Sequence, residues 1–167
     1  KKDGTWRFAI DFRKVNALTR MDPTGIPHAK LALHALGGNR FFSCMDMLAS
    51  FWQQPLVETD RKYTAFSMPG VGQLQWTVLP MGLRNSPQTQ QRAMEQLIAG
   101  LDPEHVLCYI DDLIVATESF EEHLVLLDLL FRRLTAAGLA LKFSKCEFVR
   151  HTASYLGHII SADGIRK

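Results

Sequence analysis

Two apolar, β-branched runs joined by adjacent aspartates, Val106-Leu-Cys-Tyr-Ile-Asp111-Asp112-Leu-Ile-Val-Ala-Thr117, restrict the fold of this chain more than any other stretch. Each run has the composition of a strand, and together they predict a hairpin with Asp111 and Asp112 as its two-residue tip. A tight turn prefers Asn-Gly or Asp-Gly. Two like charges side by side among Ile110, Leu113 and Ile114 repel one another and resist desolvation, so a bound cation is the natural compensation. Aspartate is also an ordinary turn residue, and a solvated tip is the plain alternative.

The remaining elements frame that hairpin. Trp6 to Phe12 alternates, which predicts a strand with Trp6, Phe8, Ile10 and Phe12 toward a core and Arg7, Ala9, Asp11 and Arg13 opposite. Its charged face, with the preceding turn, presents Lys1, Lys2 and Arg7 to a polyphosphate; a solvated edge strand is the bland reading. Met21 to Pro27 is rich in turn residues, and Ala29 to Leu36 reads as a short helix stopped by Gly37-Gly38. Phe41 to Met47 is a strand whose end carries a lone carboxylate, Asp46. Tyr63 to Met68 and Gln73 to Leu79 form a hairpin around Pro69-Gly-Val-Gly72. Ser86 and Pro87 cap and open a helix that ends near Gly100. Its Gln88, Gln90, Gln91, Arg92, Glu95 and Gln96 give a polar face suited to a nucleic-acid groove or, more plainly, to solvent.

Ser119 and Glu122 then make a capping box for a helix with Leu124, Leu127, Phe131 and Leu134 at helical spacing, closed by Gly138. Leu139 to Phe143 reads as a strand, Ser144-Lys-Cys146 as a turn, and Ser154 to Ile160 as a last strand with Gly157 marking a bulge.

Other functional classes find little support. The Gly70-Val-Gly72 pair lacks the third glycine and following helix of a dinucleotide fingerprint, and no phosphate-loop motif occurs. His28, His34 and His151 have no ligand-spaced partners, and the three cysteines fit neither a disulfide framework nor a thiolate zinc site, which favours a reducing compartment. A net charge of +2 permits a nucleic-acid partner without arguing for one. There is no apolar run of membrane-spanning length and no signal-peptide pattern. The 167 residues fit one domain, and the opening on Lys1-Lys2-Asp3 reads as an excerpt from something longer.

The order of elements predicts an α+β fold, with helices on one face of an antiparallel sheet. If the strand ending at Asp46 neighbours the aspartate hairpin, three carboxylates converge. Magnesium takes oxygen ligands, and three aspartates could hold a pair of ions ~3.5 to 4 Å apart, the arrangement that serves in-line phosphoryl transfer.

The motifs Lys1-Lys-Asp-Gly-Thr-Trp-Arg7, Phe42-Ser-Cys-Met-Asp46, Leu79-Pro-Met-Gly-Leu-Arg-Asn-Ser-Pro87, Tyr109-Ile-Asp-Asp112, Ser144-Lys-Cys-Glu-Phe148 and Tyr155-Leu-Gly-His158 occur in this order. Together they resemble the reverse transcriptases of long-terminal-repeat retrotransposons, the gypsy group above all, and those of retroviruses. The resemblance implies a right-hand polymerase palm with part of the fingers: residues 1–40 and about 55–80 of fingers type, the rest palm. The start of the fingers, the thumb and any RNase H domain would be missing, so the excerpt alone is expected to be weak or inactive. It implies an RNA-directed DNA polymerase, a nucleotidyltransferase adding deoxynucleotides to a primer 3′-OH.

Residue by residue, the resemblance makes Asp46, Asp111 and Asp112 ligands of two Mg2+ ions, with Mn2+ a possible substitute. Lys145 would protonate pyrophosphate, with Lys142 as competitor. Lys2 (or Lys1) and Arg7 would grip the triphosphate. Phe51, five residues after Asp46, would exclude a 2′-hydroxyl, which disfavours an RNA-directed RNA polymerase. Met81 and Gly82 would pack on the nucleotide, and Asn85, Ser86, Pro87, Gln91 and Tyr109 on template and primer. Implied partners are an RNA or DNA template with primer, deoxynucleoside triphosphates, and RNase H and integrase domains of one polyprotein. The implied location is the cytoplasm, in a virus-like particle, with no membrane. Ser50, Met81, Gln90 and Thr24-Gly-Ile-Pro27 depart from the family pattern, and a buried Gln90 without partners would cost ~1 to 3 kcal/mol. The alternative is a decayed or domesticated copy that only binds nucleic acid.

Overall fold

The computed structural model describes residues 4, 6, 8–26, 33 and 36–167. Lys1, Lys2, Arg7, His28, His34 and most of the helix expected at Ala29–Leu36 lie outside the described residues. In chain order the described elements are α1 (Arg13–Leu18), β1 (Phe41–Asp46), α2 (Glu58–Arg61), β2 (Phe66–Met68), β3 (Gly72–Leu74), α3 (Ser86–Ile98), β4 (Val106–Tyr109), β5 (Asp112–Thr117), α4 (Phe120–Ala136), β6 (Glu147–Arg150), β7 (Thr152–Tyr155), β8 (His158–Ser161) and β9 (Gly164–Arg166). Short 3-10 turns occur at Ser50–Gln53, Lys62–Thr64 and Phe143–Lys145. The chain divides into two compact units, residues 1–24 with 49–87 and residues 25–48 with 88–167.

The second unit is built on a four-stranded antiparallel sheet in the order β4-β5-β1-β6. Alternation along the strands sends Met45, Val106, Cys108, Leu113 and Val115 toward helices α3 and α4, where Met94, Leu97, Leu127, Leu130 and Leu134 meet them. On the opposite face Phe42, Ile114 and Ala116 pack against Ala153, Tyr155 and Ile160 of a small β7-β8-β9 sheet and against Leu33 and Leu36. Both faces of β5 are therefore covered, which is why Leu113 to Thr117 is an unbroken apolar run with a threonine at its end. The expected α+β layout holds, with the small sheet covering the face away from the helices.

Several local expectations change. Tyr109 pairs with Asp112, so the hairpin tip is Ile110-Asp111 and Asp112 is the first residue of β5. The helix α4 stripe is His123, Leu127, Leu130 and Leu134, whereas Leu124 is exposed. Only the Ser119 half of its capping box forms, with Ser119 Oγ accepting from the Glu122 N–H at 3.2 Å. The Glu122 carboxylate faces His105 instead, at 3.6 Å. Leu139 to Phe143 is no strand: Leu141 makes a single bridge to Met47 before the 3-10 turn. Ser154 to Ile160 is a hairpin, because Leu156 (φ 49°) and Gly157 (φ 75°) both take the left-handed backbone of a two-residue turn that joins β7 to β8.

In the first unit the expected strand over Trp6 to Phe12 is absent among the described residues; Trp6 is 97% exposed, Phe8 is half exposed, and only Phe12 is buried. Asp11 ends the alternation, since its carboxylate accepts from the Arg13 N–H at 3.0 Å and pairs with the Arg13 guanidinium, which starts α1. The Phe8 ring lies against Phe66 and Trp76, and Trp52 against Trp76. The expected central hairpin forms in shortened shape, Phe66–Met68 with Gly72–Leu74.

Candidate active site

Strand β1 ends on Asp46 and β5 begins on Asp112, and these two residues are register partners across the antiparallel pair. Alternation puts them on one sheet face with Phe42, Cys44 and Ile114, away from the helices. Asp111 lies in the adjoining turn, where its carbonyl accepts from the Met47 N–H at 3.3 Å. The three aspartates that the sequence singled out thus lie at the end of two central strands. Beside them opens a pocket of about 280 Å³ lined by Cys44, Asp46, Asp112, Lys145, Tyr155 and Leu156, among others.

Burial and the charge of neighbouring carboxylates raise the pKa values of Asp111 and Asp112. Desolvation lifts Asp112 to about 6, with Asp111 and then Asp46 adding to it and Lys145 opposing. Asp111 is raised as well, by desolvation first and then by the Asp46 charge. Lys145, on the 3-10 turn before β6, donates from Nζ to Asp46 Oδ2 at 2.7 Å, and that bond raises its own pKa. Lys142 reaches Asp46 only through the backbone, its N–H donating to the Asp46 carbonyl at 2.8 Å.

Among the described residues, no three His, Cys, Asp or Glu side chains form a group close enough to hold a metal ion. The donor set itself is all carboxylate oxygen, which suits a hard divalent cation. Asp46 and Asp112 share one end of the sheet, and the excess negative charge there is what such a cation would offset. Asp46 is meanwhile engaged by Lys145. The residues therefore fit the ion in chemistry, while in this structure Lys145 supplies the positive charge beside Asp46.

Tyr109 flanks this turn at the end of β4, while Gln91 is buried beneath it rather than on an exposed face. Gln91 Oε1 accepts from the Ile110 N–H at 2.7 Å, and Nε2 donates to the Cys108 carbonyl at 3.3 Å and to Glu95 Oε1 at 3.0 Å. Gln90 is fully buried too, with neither amide atom hydrogen-bonded among the described residues. The expected glutamine-rich exposed face is thus half inside, because α3 turns Gln90 and Gln91 inward with Met94 and Leu97.

Phe51, Met81, Gly82, Asn85, Ser86 and Pro87 belong to the first unit. Phe51 is half-buried on the 3-10 turn that follows Ala49, itself at φ 47°. Gly82 takes φ 95° with Phe12 Cδ2 3.6 Å from where a Cβ would stand. Asn16 of α1 clamps this loop: its Nδ2 donates to the Gly82 carbonyl and its Oδ1 accepts from the Arg84 N–H, both at 2.8 Å. Asn85 Nδ2 donates to the Arg20 carbonyl at 2.9 Å, and Ser86 Oγ donates to the Pro80 carbonyl at 3.0 Å.

Sequence reasoning passed over Asn16 because α1 is too short to show periodicity. It also gave no role to Tyr155, whose hydroxyl donates to the Asp112 carbonyl at 3.0 Å. The signal for that residue was its place in the Tyr155-Leu-Gly-His158 motif.

Comparison with known proteins agrees with this architecture. Residues 1–160 match the family model described as reverse transcriptase (RNA-dependent DNA polymerase). The chain is 38% identical over 161 residues to the retrovirus-related Pol polyprotein from transposon 297 of Drosophila melanogaster, covering 96% of this chain and 15% of that protein. With the Pol polyprotein from transposon gypsy of the same organism it shares 33% identity over 160 residues, again 96% of this chain and 15% of the relative. The solved foamy viral protease-reverse transcriptase in complex with double-stranded DNA superposes with a TM-score of 0.92 at 30% identity, covering 99% of this chain and 29% of that one. The chain thus spans about a seventh of the length of these curated relatives. Matched over nearly its whole length in sequence and in fold, the chain belongs to the reverse transcriptase (RNA-dependent DNA polymerase) family.

Proposed function

We propose that this chain is the catalytic part of an RNA-directed DNA polymerase that adds deoxynucleotides to a primer 3′-hydroxyl. The observation that carries the proposal is the register pairing of Asp46 with Asp112, with Asp111 in the adjoining turn and Lys145 on Asp46. Asp46, Asp111 and Asp112 would hold two Mg2+ ions, or Mn2+ in their place. When bound, the ions supply activation of the attacking hydroxyl and neutralisation of the departing pyrophosphate.

The chain's own residues supply position and a proton. Lys145 Nζ, which donates to Asp46 Oδ2, is the candidate proton donor to the leaving pyrophosphate in preference to Lys142. Its placement on Asp46 and its raised pKa keep it charged and beside the carboxylates. Phe51 would lie under the sugar and leave no room for a 2′-hydroxyl. Met81 and Gly82, on the loop that Asn16 clamps, would pack on the incoming nucleotide; Asn85, Ser86, Pro87 and Tyr109 would approach template and primer. Lys2 and Arg7 would grip the triphosphate. The solved relative holds double-stranded DNA, which supports a primer-template as partner here. The Pol polyprotein relatives support a place for this chain within a longer polyprotein; RNase H and integrase domains as its neighbours and a cytoplasmic virus-like particle as its setting are what the resemblance implies.

A second reading, a copy that binds nucleic acid without catalysis, draws on the buried, unpartnered Gln90 amide. The experiment that separates them is single-nucleotide extension of a labelled primer on poly(rA) by the full polymerase carrying this chain, with Mg2+, beside its Asp111→Asn variant. Extension by the parent and a loss of at least about a thousandfold in the variant, with primer-template still bound, is the expected result. Binding without extension by the parent, falling with salt and indifferent to magnesium, would favour the second reading.

A further inference from the structure

The turn that carries Asp111 is built on an unfavourable backbone. Ile110 is β-branched, yet it sits at φ 58°, a left-handed conformation that such a residue rarely adopts. Glycine or asparagine would take it more readily. Something must hold it, and Gln91 is in contact with both sides of the kink. Its Oε1 accepts from the Ile110 N–H at 2.7 Å, while its Nε2 donates to the carbonyl of Cys108, two residues earlier, at 3.3 Å.

A third bond, from Nε2 to Glu95 Oε1 at 3.0 Å, fixes which way round the amide lies. The nitrogen faces two acceptors and the oxygen faces a donor, so the reversed amide would lose every bond. Gln91 is 1% exposed, so water does not compete for these bonds. Asp111 follows Ile110 directly and Asp112 follows Asp111 at the register position opposite Asp46. A change in the Ile110 backbone therefore moves the carboxylates.

We propose that Gln91 is a positioning residue for the aspartate turn, acting through Ile110 on Asp111 and Asp112 and not through contact with template or primer. The inference rests on the polymerase reading. A second-neighbour amide that fixes one turn controls the placement of charge, and misplacing reacting groups by about 1 Å costs on the order of a hundredfold in rate. The replacement suited to the test is Gln91→Met, which keeps the buried volume and removes all three hydrogen bonds.

The test uses the full polymerase carrying this chain. In Gln91→Met, kcat for single-nucleotide addition should fall about ten- to a hundredfold, while the nucleotide KM and the primer-template Kd stay within about twofold. Amide exchange at Ile110 should accelerate while exchange along β1 stays as in the parent. A weakened primer-template Kd with unchanged kcat would overturn the proposal in favour of a template contact. Equal loss of protection along β1 would reduce Gln91 to a general structural residue. If the variant does not fold, the parent alone still decides: an Ile110 amide that exchanges as fast as an unbonded turn amide would overturn the proposal. An inactive parent would instead count against the polymerase reading.

Discussion

Adjacent glutamines on α3 have opposite fates, and the contrast turns on single hydrogen bonds. Gln91 spends both ends of its amide on the aspartate turn and Glu95, whereas Gln90 is equally buried and spends neither among the described residues. A buried amide without partners keeps its full desolvation cost, about 1–3 kcal/mol. Gln90→Met, similar in volume and free of that cost, should stabilise the protein by about 1–3 kcal/mol, read as a rise in the denaturant midpoint at constant slope. A lower midpoint would show that the amide is satisfied in solution. The departure at position 90, and the cost of burying an amide there, were visible in the sequence by its resemblance, but the burial of Gln91 was not. A polar letter in a mixed helix does not say which way it faces, and the bonds that bring Gln91 inside come from residues 108 and 110, on another element. The placing of Asp46 beside the Asp111-Asp112 turn was legible because a charge among apolar neighbours has no packing explanation, although the tip of the hairpin lies one residue earlier than the two aspartates implied.

At the scale of elements, α4 is fastened to the sheet by a buried polar chain as well as by leucines. His123 occupies a position in the helix's apolar stripe, 0% exposed, between Ser43 of β1 and Thr117 of β5. Thr117 Oγ1 donates its only proton to the Ser119 carbonyl at 2.9 Å, so at 2.9 Å from His123 Nδ1 it must accept, and Nδ1 carries the hydrogen. Nε2 then accepts from Ser43 Oγ at 2.7 Å, and Ser43 Oγ accepts from the Val149 N–H of β6 at 3.0 Å. Every member is satisfied only while the ring is neutral. Burial accordingly lowers the His123 pKa in the folded state. The unfolded chain then binds the proton more readily, so this contribution to stability is complete above about pH 6.5 and is lost as pH falls below it. The denaturation free energy of the parent should drop more steeply between about pH 6.5 and 5 than that of His123→Gln, the difference cancelling other titrating groups such as Asp112. Parallel pH profiles would show that His123 is not part of the linkage. The helix itself was legible from Ser119 and its leucines, but this fastening was not, since Ser43, Thr117, His123 and Val149 are dispersed in sequence. For the same reason the β7–β8 hairpin read as one strand: Leu156 before Gly157 gives no turn signal, and its left-handed backbone is imposed by pairing.

For the molecule as a whole, the division into two units carries an energetic asymmetry. In residues 25–48 with 88–167, the described buried apolar side chains line both faces of a four-stranded sheet, Met45, Leu113, Val115, Leu127 and Leu130 on one side and Phe42, Ile114, Tyr155 and Ile160 on the other. In residues 1–24 with 49–87, the corresponding described side chains are Phe12 and Leu79, while Trp6, Leu18, Met21, Val57, Tyr63 and Val71 are largely exposed. Burial of apolar area is the dominant favourable term in folding, at roughly 25 cal/mol per Å², so the units cannot share it equally. The three strands most central to the aspartates, β1, β4 and β5, fall wholly in the better-buried unit. Local opening free energies follow buried contact and shielded backbone hydrogen bonds. Native-state hydrogen exchange should therefore find the amides of β1, β4, β5 and α4 opening only with global unfolding. The amides of α1, α2 and the β2–β3 hairpin should open at free energies lower by at least about 2 kcal/mol, roughly thirtyfold faster in exchange. Uniform protection across both units would mean that they unfold as one cooperative body, and that the first unit draws its stability from outside its own core.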